Sequence, residues 1–68
     1  MATLDEMIAL AEKHVENGRR IVAKQRERVE SGNSYNIAQA RELLEHFERT
    51  LAIFESDLKR LLDQRNSN

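Results

Sequence analysis

The chain contains no cysteine, no proline and no tryptophan, and only two of its 68 residues are glycine. Without cysteine it can form no disulfide, no thiolate metal site and no cysteine nucleophile. Without proline, and with so little glycine, few positions interrupt a helix. Abundant Ala, Glu, Leu, Arg and Lys are typical of long amphipathic helices. The composition therefore indicates one small domain built from helices.

Long apolar runs are missing as well. No window approaches the ~20 consecutive apolar residues that a membrane span requires. Asp5 and Glu6 stand near the start of the chain, where a secretory signal carries basic residues. The formal net charge of −1 gives no overall attraction to nucleic acid or to a membrane. We therefore expect a soluble, cytoplasmic protein with no membrane partner.

What the chain does contain is a helical periodicity of apolar residues, which is clearest in its second half. Apolar residues recur there at alternating intervals of three and four, at Ile37, Ala40, Leu44, Phe47, Leu51, Phe54, Leu58 and Leu61. A series of smaller or polar residues has the same spacing in the first half, at Leu4, Ile8, Ala11, Val15, Gly18, Val22, Gln25 and Val29. This spacing is typical of helices that pack along one line, which we call the seam.

Capping signals set the limits of the two helices. Thr3 and Glu6 have the form of a capping box, which predicts a helix over about residues 4–31. Gly32 can adopt the left-handed conformation that ends such a helix. Residues 32–36 hold the turn formers, and either Ser34 or Asn36 can cap the helix that follows.

We predict that the second helix covers about residues 37–64 and that residues 65–68 form a frayed tail of a single domain, 1–68. A turn this short makes the two helices antiparallel. The fold class is then all-α, an antiparallel two-helix hairpin. In the resulting register the large residues of the second helix face small ones of the first, with Leu51 opposite Gly18.

The two sides of the seam differ in charge. One side carries ionisable residues, and the register places Arg19 beside Glu48 and Glu12 beside Glu55. The other side is less charged and widens the apolar stripe. We expect two hairpins to pair through this second side into a four-helix-bundle homodimer. The predicted dimer interface comprises Met7, His14, Ile21, Leu43, Thr50 and Asp57.

Basic residues concentrate in the latter part of the first helix. They are Arg19, Arg20, Lys24, Arg26 and Arg28. In a dimer this stretch could follow nucleic-acid phosphates, as the helical hairpins of plasmid Rop proteins do with RNA. No aromatic residue interleaves with these side chains for base stacking. We favour the alternative that they pair with acidic residues of the second helix.

Residue types that carry catalysis or bind metals are few. The register places His14 near Asp57, as a hydrogen-bonded pair in the interface, and His14 and His46 on different faces, which predicts no shared metal. Glu42 and Glu45 lie opposite the seam, and their spacing to His46 does not match a di-iron motif. We therefore expect no catalytic residue, no metal and no cofactor.

Several of these residues carry a resemblance to known sequences. The pattern consists of His14, Val15, Gly18, Val22, Gln25, Arg26, Gly32, Ala40, Leu43, Leu44, Phe47, Glu48 and Leu51. It resembles a group of short bacterial helical-hairpin proteins of rhizobium-like alphaproteobacteria that have no known activity. Members of that group often carry His at the position of Phe54 and Arg near that of Leu58, so the seam of this chain is more apolar. The resemblance implies the hairpin fold, and it brings no activity that can be carried over to this chain.

Together the patterns favour a non-enzymatic, self-associating helical hairpin that serves protein–protein interaction. The alternative is a small Rop-like nucleic-acid-binding regulator that uses the basic stretch at 19–28. The two hypotheses differ in whether the basic side chains point outward together or are neutralised by nearby carboxylates.

Overall fold

The computed structural model describes residues 1–32 and 36–67, which form two long helices. Helix α1 covers Leu4–Ser31 and helix α2 covers Ile37–Asn66. The predicted all-α hairpin is confirmed, and α2 ends two residues beyond the predicted limit of 64. Of the predicted turn at 32–36, residues 33–35, and with them the predicted cap Ser34, lie outside the described residues, as does residue 68.

The start of α1 has the predicted capping box. The backbone N–H of Glu6 donates to the Thr3 hydroxyl at 3.1 Å, and the Thr3 backbone N–H donates to the Glu6 carboxylate at 3.2 Å. At the other end Gly32 takes φ +68°, and its N–H donates to the Val29 carbonyl. This left-handed conformation costs glycine little, which fixes where α1 ends.

Helix α2 begins at a simpler cap. The Asn36 side-chain oxygen accepts a hydrogen bond of 3.1 Å from the Gln39 backbone N–H. At the far end the Arg65 guanidinium lies 3.8 Å from the Asp5 carboxylate in the first turn of α1. A cation suits the C-terminal end of a helix dipole, and an acid suits the N-terminal end. The pair also shows that the end of α2 lies beside the start of α1, so the helices are antiparallel.

Three further contacts fix the register along the seam. Near the turn, the Gln25 side-chain amide donates to the Ala40 carbonyl at 2.9 Å. Near the chain ends, Ile8, Ala11 and Leu61 form a buried cluster. At mid-length a Cβ built on Gly18 would lie 3.1 Å from Leu51 Cδ1. The contact of Gly18 with Leu51 confirms the predicted pairing of a small residue in α1 with a large one in α2 at this point.

Burial is uneven between the two helices. The buried residues of α1 are Ile8, Ala11, Val15, Val22 and Gln25. Helix α2 buries only Ala40 and Leu61. Its larger seam residues are half-buried, namely Leu44, Phe47, Leu51, Phe54 and Leu58. One helix therefore covers only part of the apolar side of the other.

Candidate association surface

The less charged side of the seam is a continuous surface, which we call the apolar flank. In α1 it comprises Met7, Leu10, His14, Asn17, Ile21, Lys24 and Arg28, and in α2 Leu43, His46, Thr50, Ile53, Asp57 and Arg60. These residues recur at intervals of three and four, which places them on one side of each helix. The predicted interface residues Met7, His14, Ile21, Leu43, Thr50 and Asp57 are all part of it.

Large apolar side chains are exposed along the apolar flank. Leu10 is 56% exposed, Ile21 47%, Met7 44% and Leu43 42%. Single exposed apolar residues are common on protein surfaces, whereas a row of them along one side marks an interaction surface. With Ile53, which is also exposed, the chain thus directs five large apolar side chains to the same side of the hairpin.

A hollow of ≈120 Å³ opens at the middle of this flank. It is lined by His14, Asn17, Gly18, Ile21, Phe47, Thr50, Leu51 and Phe54. Because Gly18 has no side chain, Leu51 packs closely against its backbone, and two half-buried phenylalanine rings border the hollow. We call this feature the central hollow, and its lining is almost entirely apolar.

Two shallower depressions continue the flank on either side of the central hollow. Towards the chain ends, Met7, Leu10 and Asp57 line one of them. Towards the turn, Arg28, Leu43 and His46 line the other. The apolar flank therefore runs over most of the length of the hairpin and is indented throughout.

The predicted pairing of His14 with Asp57 is wrong in detail. Both residues line the depression near the chain ends. The His14 ring, however, packs against the Phe54 ring with centroids 5.1 Å apart. Asp57 instead meets Arg60, at 3.6 Å from oxygen to nitrogen. The long guanidinium side chain one turn along α2 reaches the carboxylate, while the shorter imidazole stays on the aromatic surface.

The placement of the two histidines on different faces is also wrong. His46 lies three residues after Leu43 and four before Thr50, so it shares their side of α2. The prediction treated the flank as one row of residues on each helix, but a second row widens it. The two imidazoles line different depressions, His46 near the turn and His14 at the central hollow and beyond it.

The opposite side of the seam, which we call the charged flank, contains an ion pair that bridges the helices. Arg19 Nη2 lies 3.1 Å from Glu55 Oε2. The predicted partner of Arg19 was Glu48, one heptad away. Helical side chains lean towards the N-terminus of their own helix. Because the helices are antiparallel, Arg19 and Glu55 lean towards each other, whereas Glu48 leans away.

The five basic residues of the predicted nucleic-acid contact are not directed to one side. Arg19 and Arg26 lie on the charged flank, Lys24 and Arg28 at the turn end of the apolar flank, and Arg20 between the two flanks, away from the seam. All five are exposed. Glu27 and Glu30 lie in one surface depression with Lys24 and Arg28. The basic charge is thus distributed around α1 and mixed with carboxylates.

The predicted interface leaves out Asn17, Lys24, Arg28 and Arg60 of the apolar flank and also three of its apolar or aromatic residues. These three are Leu10, His46 and Ile53, of which Ile53 is 61% exposed. The signal was available in the spacing, since Leu10 lies midway between Met7 and His14 and Ile53 midway between Thr50 and Asp57. Counting two rows of positions on each helix would have included all three.

The described residues also bear on two other kinds of site, a metal centre and a membrane span. Within residues 1–32 and 36–67, no group of three or more His, Asp or Glu side chains is arranged to hold a metal ion. Neither of the two described helices is long and apolar enough to cross a membrane. Comparisons of the chain with protein-family models, with curated proteins and with solved structures found no match.

Proposed function

We propose that this protein is a non-enzymatic helical-hairpin module for protein–protein interaction whose apolar flank binds a second copy of the same chain, giving a four-helix homodimer. The observation that carries the proposal is the incomplete burial of the large α2 seam residues beside an exposed apolar surface. A second layer of helices over the apolar flank would cover both.

The first support comes from the core of the hairpin. No side chain of the described residues is less than 2% exposed, and Phe47 and Phe54 are half-buried. Burying apolar area is the main favourable term in folding, at about 25 cal/mol per Å². Both phenylalanines border the central hollow, so a helix packed over the apolar flank would remove further area from water.

The second support is the size of the surface. The hairpin measures 49 × 18 × 14 Å, so one broad face spans about 880 Å² in projection. A stable protein–protein interface of standard size covers about 800 Å² on each partner. A hairpin that associates along its whole length therefore has the area that a specific dimer needs.

The third support is the contrast between the flanks. The charged flank holds an exposed ion pair between Arg19 and Glu55, whose side chains are 67% and 45% exposed. Charged side chains are depleted at the centre of interfaces because their desolvation is costly. The apolar flank also holds an exposed ion pair, between Asp57 and Arg60, but it alone carries the row of exposed large apolar side chains that a second hairpin would bury.

The rival function is nucleic-acid binding through the basic stretch at 19–28. Phosphate recognition needs several cations on one face. Here the cations point in several directions, and Arg19 is paired with Glu55. Self-association is therefore the better supported of the two.

One purification distinguishes the two functions. The protein is isolated at low and at high salt, and the ultraviolet absorbance ratio and the molar mass are measured for each preparation. We expect a protein free of nucleic acid whose mass is twice 7.9 kDa at both salt concentrations. Nucleic acid that co-purifies and leaves at high salt, and is lost on combined Arg19→Glu and Arg20→Glu substitution, would contradict the proposal.

A further inference from the structure

The apolar flank differs between its two halves. The half near the turn carries the basic residues Lys24 and Arg28. The half near the chain ends carries the apolar residues Met7 and Leu10 together with the Asp57–Arg60 ion pair, whose charges cancel. Two copies of such a surface fit better in one relative direction than in the other, because like charges that face each other oppose association.

The central hollow lies at the midpoint of both helices. Gly18 is the fifteenth of the 28 residues of α1, and Leu51 is the fifteenth of the 30 residues of α2. Any two-fold axis that lets two hairpins overlap along their full length must pass close to this point. The central hollows of the two copies then face each other across the axis.

We infer that the second copy lies antiparallel on the apolar flank, with its turn at the opposite end and the two central hollows facing each other. The inference rests on the proposed function, because it describes how the same surface is occupied. The two-fold axis runs within the interface, perpendicular to the helices, so that α1 packs on α1 of the second copy and α2 on α2.

This symmetry determines which residues of α1 face each other. Positions equally far from the midpoint of the helix are opposed, so Met7 faces Arg28 of the second copy. His14 likewise faces Ile21 of the second copy, twice in the dimer. Arginine and lysine bury their aliphatic stems on apolar surface while their charges reach water. The basic half of one flank can therefore cover the exposed Met7 and Leu10 of the other.

The same rule applied to α2 opposes groups of complementary chemistry. His46 faces Asp57 of the second copy, and Leu43 faces the stem of Arg60. An imidazole and a carboxylate can share a hydrogen bond across the interface. Within one hairpin the two residues lie about three turns apart on α2 and cannot meet. Thr50 faces Ile53, which would otherwise remain 61% exposed.

The parallel arrangement, with both turns at one end, lacks this complementarity. It brings Lys24 and Arg28 of both copies together at the turn end, with their four cations on one half of the interface. It also places Met7 and Leu10 against the Asp57 and Arg60 region of α2. The like charges that this packing brings to one end disfavour it.

Distance measurement between spin labels tests the arrangement directly. Because the chain has no cysteine, a single substitution gives one label per copy. Glu30→Cys places the label on an exposed position next to the turn, and Glu16→Cys places it on an exposed position near the midpoint. Both positions lie off the apolar flank, and pulsed dipolar spectroscopy then gives the separation in the dimer.

We expect the Glu30 labels to lie about 40 Å apart, because each is some 12 residues from the midpoint at 1.5 Å per residue. The Glu16 labels should be much closer, since their separation is mainly across the bundle. Equal distances at the two positions would show that the turns are together and would overturn the antiparallel arrangement while the proposed function stands. No dipolar distance at either position would show a monomer and overturn both.

Discussion

The two sides of the hairpin differ in whether the side chains of the hairpin itself close the seam between the helices. On the charged flank, the long side chains of Arg19 and Glu55 reach across the seam and meet at 3.1 Å. On the apolar flank, Gly18 and the half-buried Phe47 and Phe54 leave a hollow that no side chain of the hairpin fills. The comparison teaches that a sequence can close one side of a two-helix seam with its own residues and leave the other side open.

The largest difference between the two sides is expected when the same charge is placed on each of them. Ile21→Glu puts a carboxylate on the apolar flank beside the central hollow, and Ala23→Glu puts one on an exposed position outside it. We expect Ile21→Glu to weaken self-association at least 100-fold, which is about 2.7 kcal/mol. Ala23→Glu should leave it unchanged, as measured by sedimentation velocity. Equal behaviour of the two variants would show that the flanks do not differ in function.

Substitutions at Gly18 test how closely the two helices pack beside the central hollow. A Cβ at Gly18 would meet Leu51 Cδ1 at 3.1 Å, so Gly18→Val should force the seam apart and cost about 1–3 kcal/mol of unfolding free energy. Gly18→Ala should change it by less than about 1 kcal/mol, since better helix propensity offsets the tight contact. Urea denaturation followed by circular dichroism measures both. A Val variant as stable as the Ala variant would mean that the helices are not closely packed there.

Gln25 lies in the seam between the two flanks, so its substitution shows the effect of losing a buried contact, for comparison with the flanks. It is 4% exposed, and its amide donates to the Ala40 carbonyl. Gln25→Ala should lower the unfolding free energy by about 2 kcal/mol, because a hydrogen bond and buried volume are both lost. Gln25→Leu, which keeps the volume, should cost less. If the Ala variant is as stable as the parent in denaturation, the buried hydrogen bond does not stabilise the register.

The smallest effect is expected on the charged flank. Arg19→Ala removes the ion pair to Glu55, but both side chains are largely exposed. Such pairs contribute about 0.2–1 kcal/mol, so the unfolding free energy should fall by less than about 1 kcal/mol, and by less still at high salt. A larger loss in urea denaturation would show that the charged flank also holds the helices together.

The fold was predictable because local signals and the seam agree. The Thr3–Glu6 capping box, the left-handed Gly32 and the unbroken spacing from Ile37 to Leu61 all give the same hairpin. The side-chain partners were harder to predict. Register places residues along a helix, but the lean of each side chain decides whether Arg19 meets Glu48 or Glu55.

The candidate surface was predicted in part for the same reason. One row of positions identified Met7, Ile21 and Leu43. To predict the second row, which contains Leu10 and His46, one must know the width of the flank. That width depends on how far apart the helices lie. That separation is set by contacts such as Gly18 against Leu51, which the spacing of the sequence alone does not measure.

Sedimentation equilibrium tests the central claim most directly, that the apolar flank binds a second copy. The experiment is run on the wild-type chain over a range of micromolar concentrations, with circular dichroism of the same samples. The account predicts a helical protein whose mass is twice 7.9 kDa and falls only on extreme dilution. A fully helical protein that stays at 7.9 kDa at every concentration would contradict it.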